Sequence, residues 1–593
     1  MRALHVGAAA GLVGLAFSGC LLPSFKNVDD PPIAQGGEAG SSSAGHAGVD
    51  NQAGEAGESS SLPPALVDDT FSMLQGGKLK IPAPGVLEND AGSSLTVNVT
   101  DDTDTRRPAK YDASSLIIDA DGALTFEPQA DFFGTYSVQY SVLDKDGLTA
   151  TANVTIHVQP VSAKLATVRD GVGGFVIDGG AGEGIGTAIS GAGDVNHDGF
   201  DDILIGAPTA GEQGAGRAYV VYGRAKSAAV ALKALPAKST ERTFVSFDGA
   251  DGDGAGNSVA RIGDLDGDGF SDFAIAASNA LPGGAVYVLY GGALSGGTAL
   301  SSLDSDRGIT LTGDEAPIGQ LISRAGDVNG DGKPDLLVSG ALSDKGRVYA
   351  VLGGSTLKSS LIDDLPGLLE IDGNLKNETL PQSLDFVGRV NADKRDEIVA
   401  SSVLSLFVLQ GTSGAYPSND GSDISTDGSA AGWRYSLKTV PQMAPVAGAG
   451  NVDGDSAGTD DLLVCETRDG ALQCRVVFSP PVLLDDGWQF SGFGGVPSVT
   501  HGEDINGDGF SDLLFGDGGQ AYLVFGKRNG HNPVDVSALG ASGFSFQAEA
   551  KNTIGAVATV GDVNGDGLQD YAIGVPKANG ATGSVFVVFG EKY

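Results

Sequence analysis

An acidic nine-residue motif that recurs seven times between residues 194 and 570 is the strongest constraint on how this chain folds. The copies follow one another about every 60 residues, and such a period indicates supersecondary units that bury their apolar faces against each other. The intact motif reads D-x-D/N-x-D-G-x-x-D, and we number its residues as positions 1 to 9. Loops 1 to 7 are the copies in chain order: 194–202, 264–272, 327–335, 389–397, 451–461, 504–512 and 562–570.

Each loop lies among short apolar segments that predict β-strands. In the first copy, a strand at 175–179 and a glycine-rich turn come before the loop, and strands at 203–208 and 218–223 come after it. We count four strands per repeat, and seven such repeats predict a seven-bladed β-propeller, which protects its sheet edges by radial repetition. The 92 glycines of the chain are also typical of turn-rich β-structure. The predicted propeller spans residues 165–593.

The two ends of the repeat array predict how the ring closes. The array starts with a strand of the type that ends each repeat, at 175–179, and it stops just after a strand of the third type, at 584–590. One strand is therefore spare at the start and missing at the end. We expect the first strand to complete the last blade without a covalent link.

The side chains of the motif predict a cation site in each intact loop. In a tight turn, the side chains at positions 1, 3 and 5 converge, position 7 turns its carbonyl inward, and the carboxylate at position 9 closes the cage. Glycine at position 6 permits the positive φ of the turn. Oxygen ligands of this number suit Ca²⁺, whereas Zn²⁺ favours His or Cys. An EF-hand is excluded, because its Glu at position 12 is replaced by an apolar strand residue such as Ile205.

Five loops are intact and two depart from the motif. In loop 4, Arg389 stands at position 1 and Lys394 at position 6, so we expect this loop to have lost its metal. Loop 5 has two extra residues, and metal binding there is left open. The alternative for each loop is a solvated Asp-Gly turn. The candidate calcium ligands are Asp194, Asn196, Asp198, Phe200, Asp202, Asp264, Asp266, Asp268, Phe270, Asp272, Asp327, Asn329, Asp331, Lys333, Asp335, Asn451, Asp453, Asp455, Thr459, Asp461, Asp504, Asn506, Asp508, Phe510, Asp512, Asp562, Asn564, Asp566, Leu568 and Asp570.

The repeats resemble the FG-GAP repeats of the integrin α-chain propeller in their Phe-Gly-type start, their Asp-rich loop and the exit Gly206-Ala207-Pro208. The resemblance covers residues 165–593 and implies that the calcium loops lie on the lower face of the ring. It also implies that recognition of a ligand uses the opposite face, at 179–186, 207–217, 249–257 and 344–347.

The N-terminus is predicted to be a targeting segment. Residues 1–20 combine Arg2, an apolar stretch at 6–17 and the sequence Phe17-Ser18-Gly19-Cys20, which resembles the lipobox of bacterial lipoproteins. The resemblance implies cleavage before Cys20, a lipid on that cysteine and an outer-membrane destination; an ordinary signal peptide is the alternative. Residues 21–64 are almost all small or polar, cannot bury a core and predict a disordered tether.

Residues 65–160 alternate apolar and polar side chains in six or seven short runs, which predicts a β-sandwich. Gly85 to Asp90, Asp121-Gly122 and Phe132 to Gly134 resemble the cadherin-like or Ig-like modules of bacterial surface proteins. Some acidic residues here are candidates for a further calcium site, and the alternative is that they are solvated turn residues. These candidates are Asp68, Asp69, Asn89, Asp90 and Asp144.

The two cysteines beyond Cys20 flank a predicted hairpin. Asp469-Gly470 is typical of a two-residue turn, which pairs Cys465 with Cys474 across two antiparallel strands. The pair falls at a rung without backbone hydrogen bonds, where Cα atoms come close enough for a disulfide in an exported protein. The alternative is a pair of small buried thiols.

Charge and the absence of known motifs limit the function. Asp and Glu exceed Lys and Arg by 39, which leaves no basic surface for nucleic acid or anionic lipid headgroups. The six His are scattered, and the sequence has none of the common hydrolase motifs. We therefore expect an all-β chain, an Ig-like β-sandwich followed by a seven-bladed β-propeller, that binds Ca²⁺ and is exported and lipid-anchored in the cell envelope.

The expected role is that of a binding or adhesion module whose propeller face meets a protein or glycan ligand. The membrane would be reached through the lipid anchor only. Two alternatives stay open. One is an envelope hydrolase or lyase that acts on polysaccharide or phosphoester, which a cluster of His, Arg and carboxylates at the propeller axis would support. The other is a purely structural envelope protein.

Overall fold

The coordinates are a computed structural model. The predicted signal peptide, Cys20 and nearly all of the predicted tether lie outside the described residues. The described residues are 63–101, 116–129, 132–160, 162–225, 230–232, 243–292, 294, 297–314, 317–340, 346–354, 357–365, 368–372, 381–391, 393–402, 405–412, 432–436, 445–455, 458–468, 471–478, 487–528, 531–549, 551–578 and 582–592.

The N-terminal module is a sandwich of two sheets, as predicted. Its strands are β1 (Asp69–Leu74), β2 (Leu79–Ile81), β3 (Thr96–Asp101), β4 (Leu116–Ile118), β5 (Leu124–Phe126), β6 (Gly134–Leu143) and β7 (Thr149–Gln159). One sheet has the order β1-β7-β6-β3 and the other the order β2-β5-β4. Alternate residues of β6 are buried between them, which is the pattern of a strand with one face on a core. Strand β1, parallel to β7, was not among the predicted strands.

Seven sheets, each with four antiparallel strands, follow the sandwich, and we name them blades 1 to 7. The elements that lead into them are β8 (Ser162–Lys164), the helix α1 (Leu165–Arg169) and β9 (Gly174–Asp178). Blades 1 to 3 contain β10 (Ala188–Gly193), β11 (Asp202–Ala207), β12 (Arg217–Val221), β14 (Phe244–Asp248), β15 (Val259–Gly263), β16 (Asp272–Ala277), β17 (Ala285–Leu289), β18 (Thr298–Ala299), β19 (Gly308–Thr312), β20 (Ile318–Gly326), β21 (Asp335–Gly340), β22 (Arg347–Val351), β23 (Ser360–Leu361) and β24 (Leu369–Asp372). The short strand β13 (Val230–Ala231) lies between β12 and β14 in the chain and belongs to the sheet of blade 7.

Blades 4 to 7 repeat the same order, with the second strand of each blade hydrogen-bonded to the first and the third. Their strands are β25 (Ser383–Gly388), β26 (Glu397–Ser401), β27 (Ser405–Leu409), β28 (Gly432–Ser436), β29 (Val446–Gly450), β30 (Asp461–Arg468), β31 (Ala471–Val477), β32 (Trp488–Ser491), β33 (Ser498–Val499), β34 (Leu513–Asp517), β35 (Gln520–Val524), β36 (Val534–Asp535), β37 (Gly543–Gln547), β38 (Val557–Gly561), β39 (Asp570–Val575) and β40 (Ser584–Val588).

The last blade is completed by the first strand of the repeat array, as predicted. Strand β9 pairs antiparallel with β40, so that Gly174 lies opposite Val588 and Asp178 opposite Ser584. The strand lies one residue earlier than the predicted 175–179. This blade therefore joins the two ends of the array through backbone hydrogen bonds, and the seven sheets close in a ring, as in a β-propeller.

Very short parallel strands cover the outer edges of five blades. Strand β13 pairs with β9, β18 with β14, β23 with β19, β36 with β32 and β8 with β37. Each of them comes from the segment that leads into the fourth strand of the next blade. An outer strand would otherwise leave its N–H and C=O groups unpaired, so every such segment both covers an edge and fastens one blade to the next.

The sandwich shares a hydrophobic core with the ring. Its buried side chains and those of blades 6 and 7 form one continuous cluster. The rings of Phe133 and Phe546 meet at 5.9 Å between centroids, and the backbone N–H of Thr135 donates to Oε1 of Glu591 at 3.0 Å. These contacts pack the sandwich on the propeller. Aromatic burial of this kind contributes strongly to stability.

Candidate metal loops and the axial cavity

All seven loops lie at the same end of the ring, because each connects the first and second strands of its blade. A β-bulge precedes six of them, where the register of these two strands shifts by one residue. In blade 2 the bulge ends at Gly263, whose φ of 99° suits glycine. Blade 6 has Glu503 at this place, paired with Asp512 by an isolated bridge. The bulge bends the first strand directly before the acidic turn.

The carboxylate at position 1 organises each intact loop. In loop 2, Oδ1 of Asp264 accepts the N–H of Gly267 at 2.7 Å and of Asp268 at 3.0 Å, and Oδ2 accepts the N–H of Gly269 at 3.0 Å. The same three bonds are present in loops 3, 6 and 7. Loop 1 has two of them. Backbone donors thus hold this carboxylate at the centre of the turn.

The side chains at positions 3 and 5 face the same centre. In loop 2, ligand atoms of Asp264, Asp266 and Asp268 all lie within 4.8 Å of one another. Burial, and the charge of Asp268 next to it, raise the pKa of Asp266. In loop 1, position 3 is Asn196, whose Nδ2 donates to Oδ2 of Asp198 at 3.0 Å. Loop 2 therefore concentrates three carboxylates where the other intact loops have two and an amide.

Two backbone sites in each intact loop have positive φ, whereas the motif predicted only position 6. Gly269 at position 6 has a φ of 92°, and Gly267 at position 4 a φ of 86°. A Cβ added at either glycine would meet no atom within 4 Å. Glycine is therefore favoured at these positions by the backbone angle and not by lack of space. In loop 1, His197 occupies position 4 with a φ of 60°, a conformation that costs energy for a residue with a Cβ.

The carboxylate at position 9 has a structural role that the motif did not reveal. Asp272 is completely buried; its Oδ2 accepts the N–H of Leu265 at 2.8 Å and its Oδ1 accepts the N–H of Gly291, beyond the third strand, at 2.9 Å. Burial raises its pKa to about 7. Corresponding bonds occur in loops 1, 3, 6 and 7. Asp272 lies outside the group of three carboxylates, and a role for position 9 as a ligand stays a prediction.

Neighbouring loops are hydrogen-bonded to each other around the ring. The N–H of Ser271, at position 8 of loop 2, donates to the carbonyl oxygen of Asp194, at position 1 of loop 1, at 3.2 Å. Four more pairs repeat this bond from position 8 of one loop to position 1 of the loop before it, at 2.8 to 3.0 Å: Asp396 and Asp327, Asp460 and Arg389, Ser511 and Asn451, and Asp201 and Asp562. These bonds connect loops 7, 1 and 2 in one run and loops 3, 4, 5 and 6 in another.

The side chain at position 7 covers the loop before it. Phe270 of loop 2 meets the ring of His197 in loop 1 edge-on, with centroids 5.6 Å apart. In loop 7, position 4 is Gly565, and a Cβ there would lie 2.6 Å from the Phe200 ring of loop 1. Position 7 was predicted to offer its carbonyl oxygen; its side chain adds an apolar contact between consecutive loops.

Loop 4 keeps the bond of position 9 and lacks the acidic side chain of position 1. Arg389 is 61% exposed, and its Nε lies 3.8 Å from Oδ1 of Asp396. Lys394 is not among the residues with positive φ. Glu397 retains the bond of position 9, because its Oε2 accepts the N–H of Val390 at 2.9 Å. Its other oxygen, Oε1, accepts from Nδ2 of Asn391 at 2.7 Å. Burial raises its pKa to about 8.

Loop 5 keeps part of the intact arrangement. The N–H of Asp455 donates to the side-chain oxygens of Asn451 at 3.3 Å and of Asp453 at 3.0 Å. Both the N–H and the hydroxyl of Thr459 donate to the carboxylate of Asp455. Asp461 accepts the N–H of Val452 at 3.1 Å, as position 9 does elsewhere. The two residues 456–457 lie outside the described residues.

The remaining candidate sites of the sequence analysis lie elsewhere. Cys465 and Cys474 pair in the expected register, with their sulfur atoms 2.05 Å apart in a disulfide. In the sandwich, Asp69 accepts from the Tyr140 hydroxyl at 2.8 Å, and Asp68 accepts the N–H of Asn153 at 2.7 Å. Oδ1 of Asp144 accepts backbone N–H groups of its own turn. Among the described residues, these sandwich carboxylates form no group of three metal-binding side chains.

A cavity of about 240 Å³ lies on the axis, lined by the first strands of all seven blades. Five ionisable side chains line it, and the sequence analysis identified none of them as a site: Arg261, Arg324, Asp385, His501 and Glu503. They come from blades 2, 3, 4 and 6. The cluster that the enzyme alternative required is therefore present.

Stacking and one ion pair organise half of this cavity. The Arg324 guanidinium lies over the Phe386 ring at 4.4 Å, and His501 stacks on the ring at 4.5 Å between centroids with 9° between planes. Nη2 of Arg324 lies 3.2 Å from Oε1 of Glu503. A Cβ at Gly448 would meet the imidazole of His501 at 2.3 Å, so glycine is needed there. Burial lowers the pKa of His501 well below its usual value.

Family models match both parts of the chain. The model described as FG-GAP repeat matches residues 186–221, 255–289 and 323–351, which contain loops 1, 2 and 3. The model described as bacterial Ig domain matches residues 61–157. These three segments match FG-GAP repeats. This confirms the resemblance drawn from the loops and the exit Gly206-Ala207-Pro208.

Several known proteins are similar to part of this chain. It is 36% identical to integrin alpha-PS3 of Drosophila melanogaster over 95 residues, 16% of this chain and 8% of that protein. It is 33% identical to integrin alpha-4 of Xenopus laevis over 157 residues, 26% of this chain and 14% of that protein. Phosphatidylinositol-glycan-specific phospholipase D of Bos taurus is 28% identical over 190 residues, 30% of this chain and 21% of that protein. The chain thus spans less than a quarter of these relatives.

Among the described residues, no helix combines the length and the apolar character needed to cross a bilayer.

Proposed function

We propose that the five intact loops bind Ca²⁺ and that the ion stabilises the ring. The observation that carries this proposal is the centre of loop 2, where Asp264, Asp266 and Asp268 place their oxygens within 4.8 Å. All the side-chain donors are oxygen, which fits a hard cation. Bound Ca²⁺ would supply positive charge between like charges, and the side chains at positions 1, 3 and 5 would hold it.

The binding surface in this proposal is the opposite end of the ring. Connections from the second to the third strand, and from one blade to the next, end there because strands alternate in direction. In blade 1, Arg217 contacts Glu183 at 3.0 Å and also pairs with Asp248. The Tyr219 hydroxyl donates to Glu183 at 2.7 Å. These contacts support an ordered polar surface at 179–186, 207–217 and 249–257. Residues 344 and 345 of the fourth predicted segment, 344–347, lie outside the described residues.

We infer that the whole protein is an exported binding or adhesion module for a protein or glycan, held to the cell envelope by a lipid on Cys20 and directed to the outer membrane. FG-GAP repeats that match integrin α chains support binding, and the bacterial Ig domain supports an exported protein. The lipobox-like sequence at Cys20 supports the anchor. The net charge of −39 argues against nucleic acid as a partner.

A binding screen of the calcium-loaded protein on glycan and matrix-protein arrays tests the role. We expect a ligand whose binding is lost in Gln213→Ala and Asp251→Ala, two exposed residues of the opposite end that are joined at 2.7 Å. Lys394→Ala, at the loop end, is the matched control and should bind as the wild type does. A ligand that is lost in the control and kept in the other two variants would contradict this surface. Failure of labelled fatty acid to enter the wild-type protein would contradict the anchor.

The axial cluster favours a second candidate, a hydrolase or lyase. A relative named a phospholipase D and the presence of Arg324, His501 and Glu503 around one cavity support it. Against it, Glu503 is paired with Arg324 and His501 is stacked on Phe386. Turnover of a phosphodiester or polysaccharide that is abolished by Glu503→Gln would establish this candidate, and no turnover on a panel of such substrates would remove it.

A further inference from the structure

Within the described part of the chain, the axial cavity is lined by one cation without a partner, Arg261. Arg261 lies at the third residue before loop 2 and lines the cavity. No hydrogen bond, ion pair or ring contact of its guanidinium is found among the described residues, and its backbone N–H donates to Oγ of Ser190 at 3.1 Å. Every other ionisable group named at the axis is paired, stacked or hydrogen-bonded. A cavity-lining guanidinium without an acceptor is a site where an oxyanion gains most.

The cavity has room for a ligand beside Arg261, at the height along the ring axis where Arg261 lies. The third residue before each loop is, from blade 1 to blade 7, Gly191, Arg261, Arg324, Phe386, Gly448, His501 and Thr559. The stack of Arg324, Phe386 and His501 occupies blades 3, 4 and 6. On the other side, Arg261 is next to Gly191, which has no side chain, and across from it stands the short side chain of Thr559. The free volume at this level therefore borders the unpaired guanidinium.

The remaining lining adds hydroxyl groups and little net charge. Thr500 and Thr559 line the cavity without a side-chain hydrogen bond among the described residues. The oxygens of Asp385 are engaged, since Oδ1 accepts from the Ser323 hydroxyl at 2.8 Å and Oδ2 from the N–H of Gly448 at 3.2 Å. The carboxylate of Glu503 is held by Arg324. Neither acid competes with a ligand for Arg261.

The volume of the cavity favours an organic anion over a small inorganic one. A volume of about 240 Å³ corresponds to about eight water molecules at about 30 Å³ each. A single phosphate or sulfate would leave most of it filled with water, whereas a monosaccharide with one carboxylate would contact both the guanidinium and the threonine hydroxyls. We propose that the axial cavity binds a small carboxylate-bearing sugar, with its carboxylate on Arg261 and its hydroxyls toward Thr500 and Thr559.

The residues that line this cavity are neither candidate calcium ligands nor part of the segments at the opposite end. Saturation-transfer NMR and calorimetry on the full chain, with D-glucuronate, D-glucose and inorganic phosphate as probes, test it. We expect D-glucuronate to bind at least tenfold more tightly than D-glucose or phosphate. Arg261→Gln should weaken the binding of D-glucuronate about tenfold or more, as expected for loss of a charged hydrogen bond.

Arg389→Gln is the matched control, since it removes the same charge from an exposed site in loop 4, and it should leave the binding unchanged. Arg261→Gln should fold as the wild type does because its side chain makes no bond to the described residues. Arg261→Lys, which keeps the charge, should bind with intermediate strength. The proposal is overturned if D-glucuronate does not bind, if phosphate or D-glucose binds as tightly, or if Arg261→Gln binds like the wild type.

Discussion

Loops 2 and 4 connect equivalent strands of two blades and differ in their acidic centre. Both follow a β-bulge, and both fasten the turn with a buried acid at position 9, Asp272 or Glu397. Only loop 2 has three carboxylates within 4.8 Å of one another among the described residues. Loop 4 connects its two strands with Arg389 at position 1 and without positive φ at position 6. The bond of position 9 therefore does not need the acidic centre, and we expect a cation to offset the repulsion between the carboxylates of loop 2.

The largest expected effect is that of calcium removal on the whole ring. Sites of this extracellular type bind at roughly 10⁻⁴ to 10⁻³ M, so millimolar Ca²⁺ contributes about 1 kcal/mol per loop and about 5 kcal/mol over five loops. Chelation should lower the melting temperature by several degrees, and adding Ca²⁺ should restore it. Calorimetry with and without chelator measures this. A melting curve that chelation leaves unchanged would remove the distinction between loops 2 and 4.

The shared bond of position 9 should matter equally in both loops. Asp272→Ala and Glu397→Ala each leave buried N–H groups without an acceptor, which should lower the free energy of unfolding by about 2 to 3 kcal/mol. Denaturant unfolding in the presence of chelator measures it without any contribution from metal. The exposed Lys394→Ala is the control and should change stability by less than about 0.5 kcal/mol. Two variants as stable as the wild type would show that this acid does not hold the turn.

The same substitution at position 5 should change the calcium response in loop 2 and not in loop 4. Asp268→Asn removes one carboxylate from the centre of loop 2, so the calcium-dependent part of the stability should fall by about 1 kcal/mol. Asp393→Asn makes the same change in loop 4 and should leave the calcium response unchanged. Calcium titrations followed by thermal melting compare the pair. An equal loss in both variants would contradict the expectation that loop 4 has no metal.

Restoring the missing motif residues of loop 4 should make this loop bind Ca²⁺, as loop 2 is expected to do. Arg389→Asp with Lys394→Gly gives this loop the missing carboxylate and the glycine of position 6, while Asn391 and Asp393 are already in place. The double variant should bind one more Ca²⁺ than the wild type and gain about 1 kcal/mol in millimolar Ca²⁺. Native mass spectrometry counts the ions. Arg389→Ala with Lys394→Gly is the control, and a gain in it would mean that the acid is not what the site lacks.

Local patterns in the sequence predicted the repeat architecture, the closure of the ring and the pairing of the two cysteines. The motif period gave the repeat, the spare first strand gave the closure by β9, and the Asp469-Gly470 turn gave the register of Cys465 and Cys474. These features depend on residues close in sequence or on the count of strands. The edge strands and the docking of the sandwich depend on contacts between distant segments, and no local pattern marks them.

The axial cluster was missed for the same reason, although one signal was available. Arg324, Phe386 and His501 meet because three blades place them at the same level of the ring, while they are far apart along the chain. Aligning the residues directly before the loops would have shown Glu503 where the other six copies have glycine. A departure from a repeat is informative when every copy faces the same axis.

Diffraction from crystals grown in calcium, with anomalous difference maps, tests the central claim most directly. We predict anomalous peaks among the side chains at positions 1, 3 and 5 of loops 1, 2, 3, 6 and 7, and no peak in loop 4. A peak beside Arg389 would contradict the contrast between loops 2 and 4. The absence of peaks from the five intact loops would contradict the account as a whole.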